Sequence, residues 1–468
     1  MNKMLSGIIV GGLLVSPCIT GSTAHAEQVQ GKTLAQAIEA AESTHLSVLI
    51  SKAEMDEASA RVKQAKAQFY PTLDLSARTE RIASRDKYSG VEASVEIPGY
   101  PAVQVEHIEQ TVPRYRALPE LTARQNVYAG GRLKAQLNQA NLSLQAADLS
   151  RRISLQQMVL DTSTSYFRLR RACMQLSSAT RQLQRAKTIA DTAAQRQREG
   201  RIAPIEERTA ALALTEKQSA LRSREEHLNL AYADFRGSIQ NAMPEEQEMS
   251  RRCQFSNAIE TDFEYALKMS DQTLDEQYEK LKLAAVREGI AVQSAALRPQ
   301  VSLYAQYQAT GRSDDSFSKA LSDISHSRSA SAAGLLITVN IFDHGLASHR
   351  VSEAEAKVRK LALATEQSAM EREQQQRRRE LEVRMAKTRI DQLFSRLEIA
   401  TAEADVARQQ LRAGTVNASY AEERIAREQD ARDEIQVAHI DHVLARLAVL
   451  FSSKIMQEAY PRRTMQEP

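Results

Sequence analysis

Two stretches of the sequence carry side chains that could bind a metal ion. The stretch IFDHGLASHR holds Asp343, His344 and His349. Further on, His439 and His442 stand three positions apart, a spacing that places two imidazoles on one face of a helix. Carboxylates and imidazoles are common zinc ligands, but a tight turn around a glycine uses the same residue types. In the first stretch, the residues alone leave both a metal site and a polar turn open.

The rest of the chain offers no catalytic constellation. It contains no GxSxG element, no phosphate-binding loop and no CxxC pair. A formal net charge of +3 on 468 residues lacks the concentrated basic excess of a nucleic-acid binder. The basic run EREQQQRRR, at 371–379, interleaves with glutamates at helical spacing, which is typical of a solvated helix face. We therefore predict a protein that is not an enzyme, with no cofactor and no nucleic-acid partner.

The first 26 residues are typical of a secretory signal peptide. A lysine supplies the positive end, a short apolar segment follows, and AHA, ending at Ala26, fits a small-x-small cleavage site. The apolar segment is too short to span a membrane, and the proline before Cys18 suits lipidation poorly. We therefore predict cleavage near Ala26 and export of the mature chain.

Two cysteines remain after this cleavage, Cys173 and Cys253. An exported chain meets an oxidising compartment, where an even number of cysteines permits one disulfide. Two buried free thiols are the alternative. We predict the disulfide, which would tie a long helix to the segment after Pro244.

The sequence repeats itself. Residues 52–77 match residues 280–305, and two later segments match in the same order. Three pairs of residues anchor the alignment: Pro71 with Pro299, Gly131 with Gly345, and Gly200 with Gly414. Each half then runs helix, proline, strand, loop, strand, glycine, long helix, glycine, helix. These six residues are predicted to be the junctions between the elements of a duplicated unit.

Two intervals without glycine or proline predict two long helices. Residues 132–199 and 346–413 contain 68 residues each, about 100 Å if wholly helical. Runs of this length exceed what a globular domain uses and indicate coiled-coil packing. Apolar residues recur at mixed three- and four-residue steps, so each helix needs neighbours to cover its stripe.

Alternation of apolar and polar residues predicts four strands. Their expected ranges are near 72–80, 116–128, 300–310 and 332–342. One apolar face fits either a half-buried sheet or a lipid-facing barrel, and strands of about ten residues suit a bilayer. Four strands cannot close a membrane barrel, since the smallest use about eight, so the membrane interpretation requires an oligomer. The segments 81–113 and 312–330 are expected to be loops.

The repeat decides between the two interpretations of IFDHGLASHR. Its counterpart, VYAGGRLKAQ, has alanine or glycine in place of all three candidate ligands. The shared residues are an aromatic and a glycine, which a strand-to-helix junction needs. We therefore predict that Gly345 is this junction, that Asp343 caps the helix, and that no metal is bound. The pair of His439 and His442 lacks a third ligand nearby.

Six short motifs flank the predicted elements: Tyr70-Pro71-Thr72-Leu73, Arg298-Pro299-Gln300-Val301, Tyr128-Ala129-Gly130-Gly131-Arg132, Phe342-Asp343-His344-Gly345, Arg198-Glu199-Gly200 and Leu411-Arg412-Ala413-Gly414. In order, spacing and duplication they resemble the TolC-type outer-membrane channel family over essentially the whole mature chain. The resemblance implies a mainly α fold with a small β part. Three chains would contribute four strands each to a 12-stranded transmembrane barrel, continued by a periplasmic α-helical barrel.

The resemblance also implies partners and a location. Such proteins are passive ducts in the outer membrane of Gram-negative bacteria. They dock to a periplasmic adaptor (membrane fusion) protein and to an inner-membrane transporter of the ABC or resistance-nodulation-division type. The cargo stays open among protein, drug and metal cation. A periplasmic coiled-coil adaptor or scaffold is the alternative function.

Five divisions of the chain follow. They are a signal peptide at 1–26, a first repeat at 27–242, a mid-tunnel linker at 243–260, a second repeat at 261–460 and a tail at 461–468.

The resemblance finally implies candidates for a pore gate. The family often places acidic residues six and nine positions after the second tip glycine, where they narrow the closed entrance. Here those positions hold Tyr420 and Glu423, so one departs from the pattern and one fits it. A ring of three tyrosines would narrow the pore sterically rather than by charge. In the first half, Glu206 lies six positions after Gly200 and completes the set.

Overall fold

The computed structural model describes residues 33–83, 87–88, 110–111, 113–240, 253–255, 258–268, 274–325 and 329–451. The helices among them are α1 (Leu34–Thr44), α2 (Leu46–Ala67), α3 (Arg132–Arg198), α4 (Pro204–Ser238), α5 (Ile259–Lys268), α6 (Leu274–Ser294), α7 (Phe317–Ser322), α8 (Leu346–Arg412) and α9 (Ala418–Leu450). The strands are β1 (Thr72–Arg81), β2 (Lys87–Tyr88), β3 (Gln110–Thr111), β4 (Tyr115–Ala129), β5 (Gln300–Ala309), β6 (Gly311–Ser313) and β7 (Ser329–Thr338). The predicted signal peptide and C-terminal tail lie outside the described residues.

The two long helices are confirmed as α3 and α8, with 67 residues each. Each begins directly after a glycine whose φ is left-handed, 91° at Gly131 and 82° at Gly345. A side chain at such a φ costs about 1–2 kcal/mol, which explains glycine at both starts. Pro71 and Pro299 each stand directly before a strand, β1 and β5 respectively.

Four long antiparallel strands run through the main sheet in the order β1-β4-β5-β7, and the short β6 is a fifth that pairs with β4. Three of them lie within one residue of their predicted ends. The prediction of 332–342 for the fourth was wrong at its end, because β7 stops at Thr338. Its neighbour β5 begins at Gln300, which pairs with Thr338, so the following residues have no strand to bond. At the other end, β7 begins at Ser329, three residues before the predicted start, because Ser329 pairs with Ala309.

The segment predicted as a loop at 312–330 contains secondary structure. Strand β6 pairs with β4, and α7 follows it, with the Ser316 hydroxyl accepting a hydrogen bond from the Lys319 backbone N–H at 3.3 Å. In the other predicted loop, β2 pairs with β3. The sequence missed these elements because they are too short to show a periodic pattern.

The long helices pack as two antiparallel hairpins, α3 with α4 and α8 with α9. Three ion pairs join α3 to α9: Arg171–Asp441 at 2.7 Å, Arg181–Asp433 at 2.5 Å and Arg185–Asp430 at 2.6 Å. Residue numbers rise along α3 as they fall along α9. The hairpin turns at Gly200 and Gly414 therefore lie at the same end of the molecule.

The largest core lies midway along the helices, where α1, α3, α4, α5 and α9 meet. Tyr166, Phe167 and Phe235 are fully buried there, and their rings contact one another edge-on or tilted. The Cys173 and Cys253 sulfurs are joined at 2.00 Å at the border of this core. The disulfide thus attaches the described residues 253–255 to α3.

Outside this core the helices bury little. Several large apolar residues of α8 are more than half exposed: Leu363, Met370, Leu381, Met385, Ile399 and Val406. The basic run at 371–379 is solvated as predicted, with Arg377 paired to Glu373 one turn earlier. Among the described residues, no helix combines the length and the apolar character that crossing a membrane requires.

Candidate functional site

The main sheet has one apolar face. Residues directly opposite each other in an antiparallel ladder project to the same side. The register places Leu75 opposite Leu121, which lies opposite Tyr307. The members of this apolar face include Leu73, Leu75, Leu121, Ala123, Val301, Leu303, Tyr307, Leu335 and Ile337. Most of them are exposed, with 76% of the Leu75 surface accessible.

The other face of the sheet is mostly polar. Its members include Asp74, Arg78, Glu80, Glu120, Thr122, Arg124, Tyr304 and Gln306. Glu80 lies 3.4 Å from Arg78 and 3.7 Å from Arg116, so ion pairs line this side. An exposed apolar face behind a polar one suits a strand array that separates lipid from water.

The sheet is also open at both sides. In the described part of the chain, β1 and β7 each pair along one edge, so their other edges have no partner strand. Unpaired N–H and C=O groups of this kind are satisfied by water, by another chain or by closure into a barrel.

The strand-to-helix junction is built by Asp343. Its carboxylate accepts hydrogen bonds from the backbone N–H groups of Gly345 at 3.1 Å and Ala347 at 2.9 Å, which confirms the predicted cap. The His344 ring lies 4.5 Å from the Phe342 ring. Among the described residues, no group of three or more histidine, cysteine or acidic side chains could hold a metal ion. This stretch therefore acts in the structure as a helix start.

His442, the other candidate ligand, has an imidazole nitrogen buried without a hydrogen-bond partner in the described structure. Burial lowers the pKa of His442 to about 4, and the positive charges of Arg446, His439 and Lys387 act in the same direction. Asp391 acts in the opposite direction. His442 is therefore neutral at physiological pH.

The two hairpin turns at the shared end have the same backbone. The φ values are 69° at Gly200 and 71° at Gly414, and each turn closes with an N–H bonded back to the end of the preceding helix. After the first turn Pro204 opens α4, and after the second the Asn417 side chain accepts from the Tyr420 N–H at 2.8 Å. This end of the molecule is called the tip below.

All three gate candidates lie near the tip and are exposed. Glu423 pairs with Arg427 of the same helix at 2.6 Å, with about half of each side chain accessible. Tyr420 stacks beneath Arg424, whose guanidinium carbon lies 5.2 Å from the ring centroid. Glu206 stands in the first turn of α4. Glu423 and Arg427 stand four positions apart, a spacing that allows an ion pair on a helix. The family's acidic pattern, taken alone, does not indicate this pairing.

A charge network beside the tip was missed by the sequence. Glu428 of α9 is 5% exposed and accepts from Arg408 of α8 at 2.7 Å and from Arg432 at 2.6 Å. Arg424 also reaches across, to Glu403 of α8 at 2.6 Å. Because the Arg408–Glu428 and Arg424–Glu403 pairs bridge α8 and α9, the network fixes the second hairpin just behind the tip. No local pattern in the sequence marks which charges meet.

A buried carboxylate in the main core was also missed. Asp262 is 1% exposed and accepts from the Tyr166 hydroxyl at 2.8 Å and from Arg170 at 3.4 Å. It also accepts from the Leu34 N–H, at the start of α1, at 3.5 Å. Burial raises the pKa of Tyr166 above its usual range, and the adjacent Asp262 charge adds to this. Arg170 lies over the Phe255 ring at 5.3 Å, so the network reaches the disulfide-bound segment.

Comparison with known proteins bears on the whole arrangement. A family model described as outer membrane efflux protein matches residues 37–239. No curated protein sequence matches the chain. The chain is similar in structure to the outer membrane protein VceC of Vibrio cholerae, with a TM-score of 0.66 at 14% identity, over 90% of this chain and 96% of that one.

Two further solved structures show the same fold. The outer membrane channel CmeC of Campylobacter jejuni matches with a TM-score of 0.64 at 14% identity, over 94% of this chain and 93% of that one. The outer membrane channel MtrE of Neisseria gonorrhoeae matches with 0.62 at 13% identity, over 92% and 93%. The family model matches residues 37–239, and the fold similarity extends beyond them to at least 90% of the chain. Over residues 37–239 the chain is therefore similar to the outer membrane efflux proteins, and over about nine-tenths of its length it has the fold of these solved outer-membrane channels.

Proposed function

We propose that three copies of this chain form the passive exit duct of a tripartite export system. The observation that carries the proposal is the sheet, with an exposed apolar face, a polar face and two unpaired edges. In lipid every backbone N–H and C=O must bond within the protein, so open edges require further strands. Three sheets joined edge to edge give 12 strands, within the range of outer-membrane barrels. The polar face then lines the lumen.

The helical hairpins would continue this duct through the periplasm. Their exposed apolar residues on α8 have neighbours to pack against only when further copies surround the same axis. The tip would be the periplasmic entrance. There the duct would meet a periplasmic adaptor protein and an inner-membrane transporter of the ABC or resistance-nodulation-division type, as the family resemblance implies.

The location and the divisions of the chain are part of the proposal. The signal peptide at 1–26 is cleaved near Ala26, and the mature protein stands in the outer membrane of a Gram-negative bacterium. Two repeats, 27–242 and 261–460, flank the linker at 243–260. The cargo is either protein, as in type I secretion, or a small molecule, since the inner-membrane partner selects it.

Fractionation tests this proposal against a periplasmic adaptor or scaffold. We expect the protein in outer-membrane fractions as a trimer that resists SDS at room temperature and dissociates on heating. Expression without residues 1–26 is the control and should abolish membrane recovery. A soluble periplasmic monomer would exclude the duct and favour the adaptor.

We further propose that Glu423 and Tyr420 narrow the tip entrance and that Glu206 contributes charge from the first hairpin. Because Arg427 pairs with Glu423, the ring of three carboxylates is partly compensated within each chain. Exposed pairs of this kind are weak, so much of the carboxylate charge still acts on ions in the pore.

Glu423→Gln is expected to lower cation over anion selectivity by roughly twofold in planar bilayers, and Arg427→Gln to raise it by a similar factor. The control is the Glu373–Arg377 pair, which has the same spacing on α8 far from the tip. Glu373→Gln should leave selectivity unchanged. Unaltered selectivity in both tip variants would remove Glu423 from the gate.

A further inference from the structure

The short helix α7 lies at the end of the sheet that is far from the long helices. Its Phe317 ring meets Tyr115 of β4 edge-on, with the centroids 4.8 Å apart. Gly311 of β6 has no room for a side chain, because a Cβ there would lie 1.9 Å from the Ala320 carbonyl oxygen of α7. The helix is therefore tightly seated on the strands.

The register shows which face of the sheet α7 covers. Tyr115 lies opposite Arg81 in the ladder. Within β1, Arg81 lies an even number of positions after both Leu73 and Leu75, so all three project to the same side of the strand. All of these side chains project to the apolar face. Gly311 pairs with Ala117, which belongs to the same face. Helix α7 thus lies on the apolar side of the sheet and not on the polar side that would line a lumen.

Position along the strand places α7 at a membrane boundary, if the proposed function holds. From Leu73 to Arg81 the apolar face extends about 26 Å along β1, or about 20 Å after a tilt of about 40°. The apolar band of an outer-membrane barrel is about 25 Å tall. The row of side chains from Leu73 to Arg81 on this face therefore spans most of the apolar band. Arg81, at its far end, lies where the lipid headgroups begin.

The side chains at this boundary combine apolar and cationic groups. Phe317 is 40% exposed and Leu321 is 52% exposed, so α7 presents apolar surface away from the sheet. The exposed guanidinium of Arg81 lies 5.9 Å from the Tyr115 ring, and no ion pair joins it to a carboxylate within the described residues. We call Arg81, Tyr115, Phe317 and Leu321 the rim patch.

Nearby carboxylates already have partners. Asp315 pairs with Lys319 at 2.6 Å. Asp314 accepts from the Arg114 N–H at 3.1 Å, and Asp323 accepts from the Arg312 N–H at 2.9 Å. Their bonds hold the segment against the strands. Among the described residues, none of these carboxylates neutralises the charge of Arg81, which can therefore act on an external anion.

We propose that the rim patch binds the phosphate-bearing headgroup of an outer-leaflet glycolipid. Arg81 supplies a forked donor that suits phosphate. Phe317 and Leu321 enter the adjoining acyl region, and Tyr115 stands at the interface, where aromatic rings concentrate. The proposal rests on the proposed function, because only a barrel in the outer membrane brings this face to that leaflet.

Reconstituted trimers test the proposal. The full-length protein is placed in phosphatidylcholine nanodiscs, and lipopolysaccharide is titrated while the temperature of trimer dissociation is followed. We expect the wild type to be stabilised, and Arg81→Gln to need about fivefold more lipopolysaccharide for the same effect. Arg81→Lys should retain most of the response because it keeps the charge. Arg78→Gln, on the polar face of the same strand, is the matched control and should behave like wild type.

Three results would overturn the proposal. These are an unchanged response of Arg81→Gln, an equal loss in Arg78→Gln, and the same stabilisation by inorganic phosphate, which would indicate a free-anion site. Failure of the duct proposal is separate, because the wild type would then form no heat-modifiable trimer in the nanodiscs, and the rim patch would fall with it.

Discussion

Replacement of Asp262 with alanine is expected to lower the free energy of unfolding by about 3–5 kcal/mol. The carboxylate is almost fully buried and accepts from the Tyr166 hydroxyl and from Arg170. Its removal leaves a largely buried guanidinium, 12% exposed, without its counter-charge. A buried charge without a partner destabilises the fold strongly, even where the intact ion pair contributes little net stability. The Leu34 N–H at the start of α1 loses an acceptor as well.

The measurement is urea unfolding followed by circular dichroism at matched protein concentrations. Glu260→Ala is the control, since this exposed residue lies in the first turn of the same helix and should change stability by less than about 0.5 kcal/mol. Tyr166→Phe removes only the hydroxyl and should cost about 1–2 kcal/mol. If Asp262→Ala is as stable as Glu260→Ala, the network does not hold the core together.

Loss of the disulfide is expected to cost about 2–4 kcal/mol. Cys173 and Cys253 are 80 positions apart, so the bond closes a long loop and restricts the unfolded chain. It also holds the segment that carries Phe255, whose ring contacts Tyr166 at 5.4 Å. Removing the bond therefore loosens contacts in the main core, and it also raises the conformational entropy of the unfolded chain.

Thermal unfolding of the purified protein, with and without reductant, measures this effect. The double variant Cys173→Ser, Cys253→Ser should match the reduced wild type and should not respond to reductant. Cys173→Ser alone should resemble the double variant. Two free thiols in non-reduced mature protein would remove the disulfide and with it the expected loss.

The sequence predicted the elements that have local signals. Proline and glycine mark the ends of the strands and long helices, and alternation marks the strands, because both depend on neighbouring residues only. The end of β7 at Thr338 was not predictable in this way, since it depends on where β5 begins at Gln300. Helix α7, with six residues, is too short to carry a period.

The contacts that matter at the candidate site were less predictable. Asp262 meets Tyr166 across 96 positions and Arg171 meets Asp441 across 270, and no spacing rule in one sequence links residues so far apart. The apolar and polar alternation was visible in each strand. Only the register shows that all four strands turn their apolar residues to one side.

Single tryptophans on the two faces of the sheet test the central claim most directly. The chain has no tryptophan, so Tyr307→Trp and Tyr304→Trp each create one reporter, on the apolar and the polar face of β5. Each variant is reconstituted in vesicles with brominated acyl chains. We expect strong bromine quenching for Tyr307→Trp, and quenching by aqueous iodide instead for Tyr304→Trp. If iodide quenches both and bromine quenches neither, the apolar face does not meet lipid and the sheet is not part of a membrane barrel.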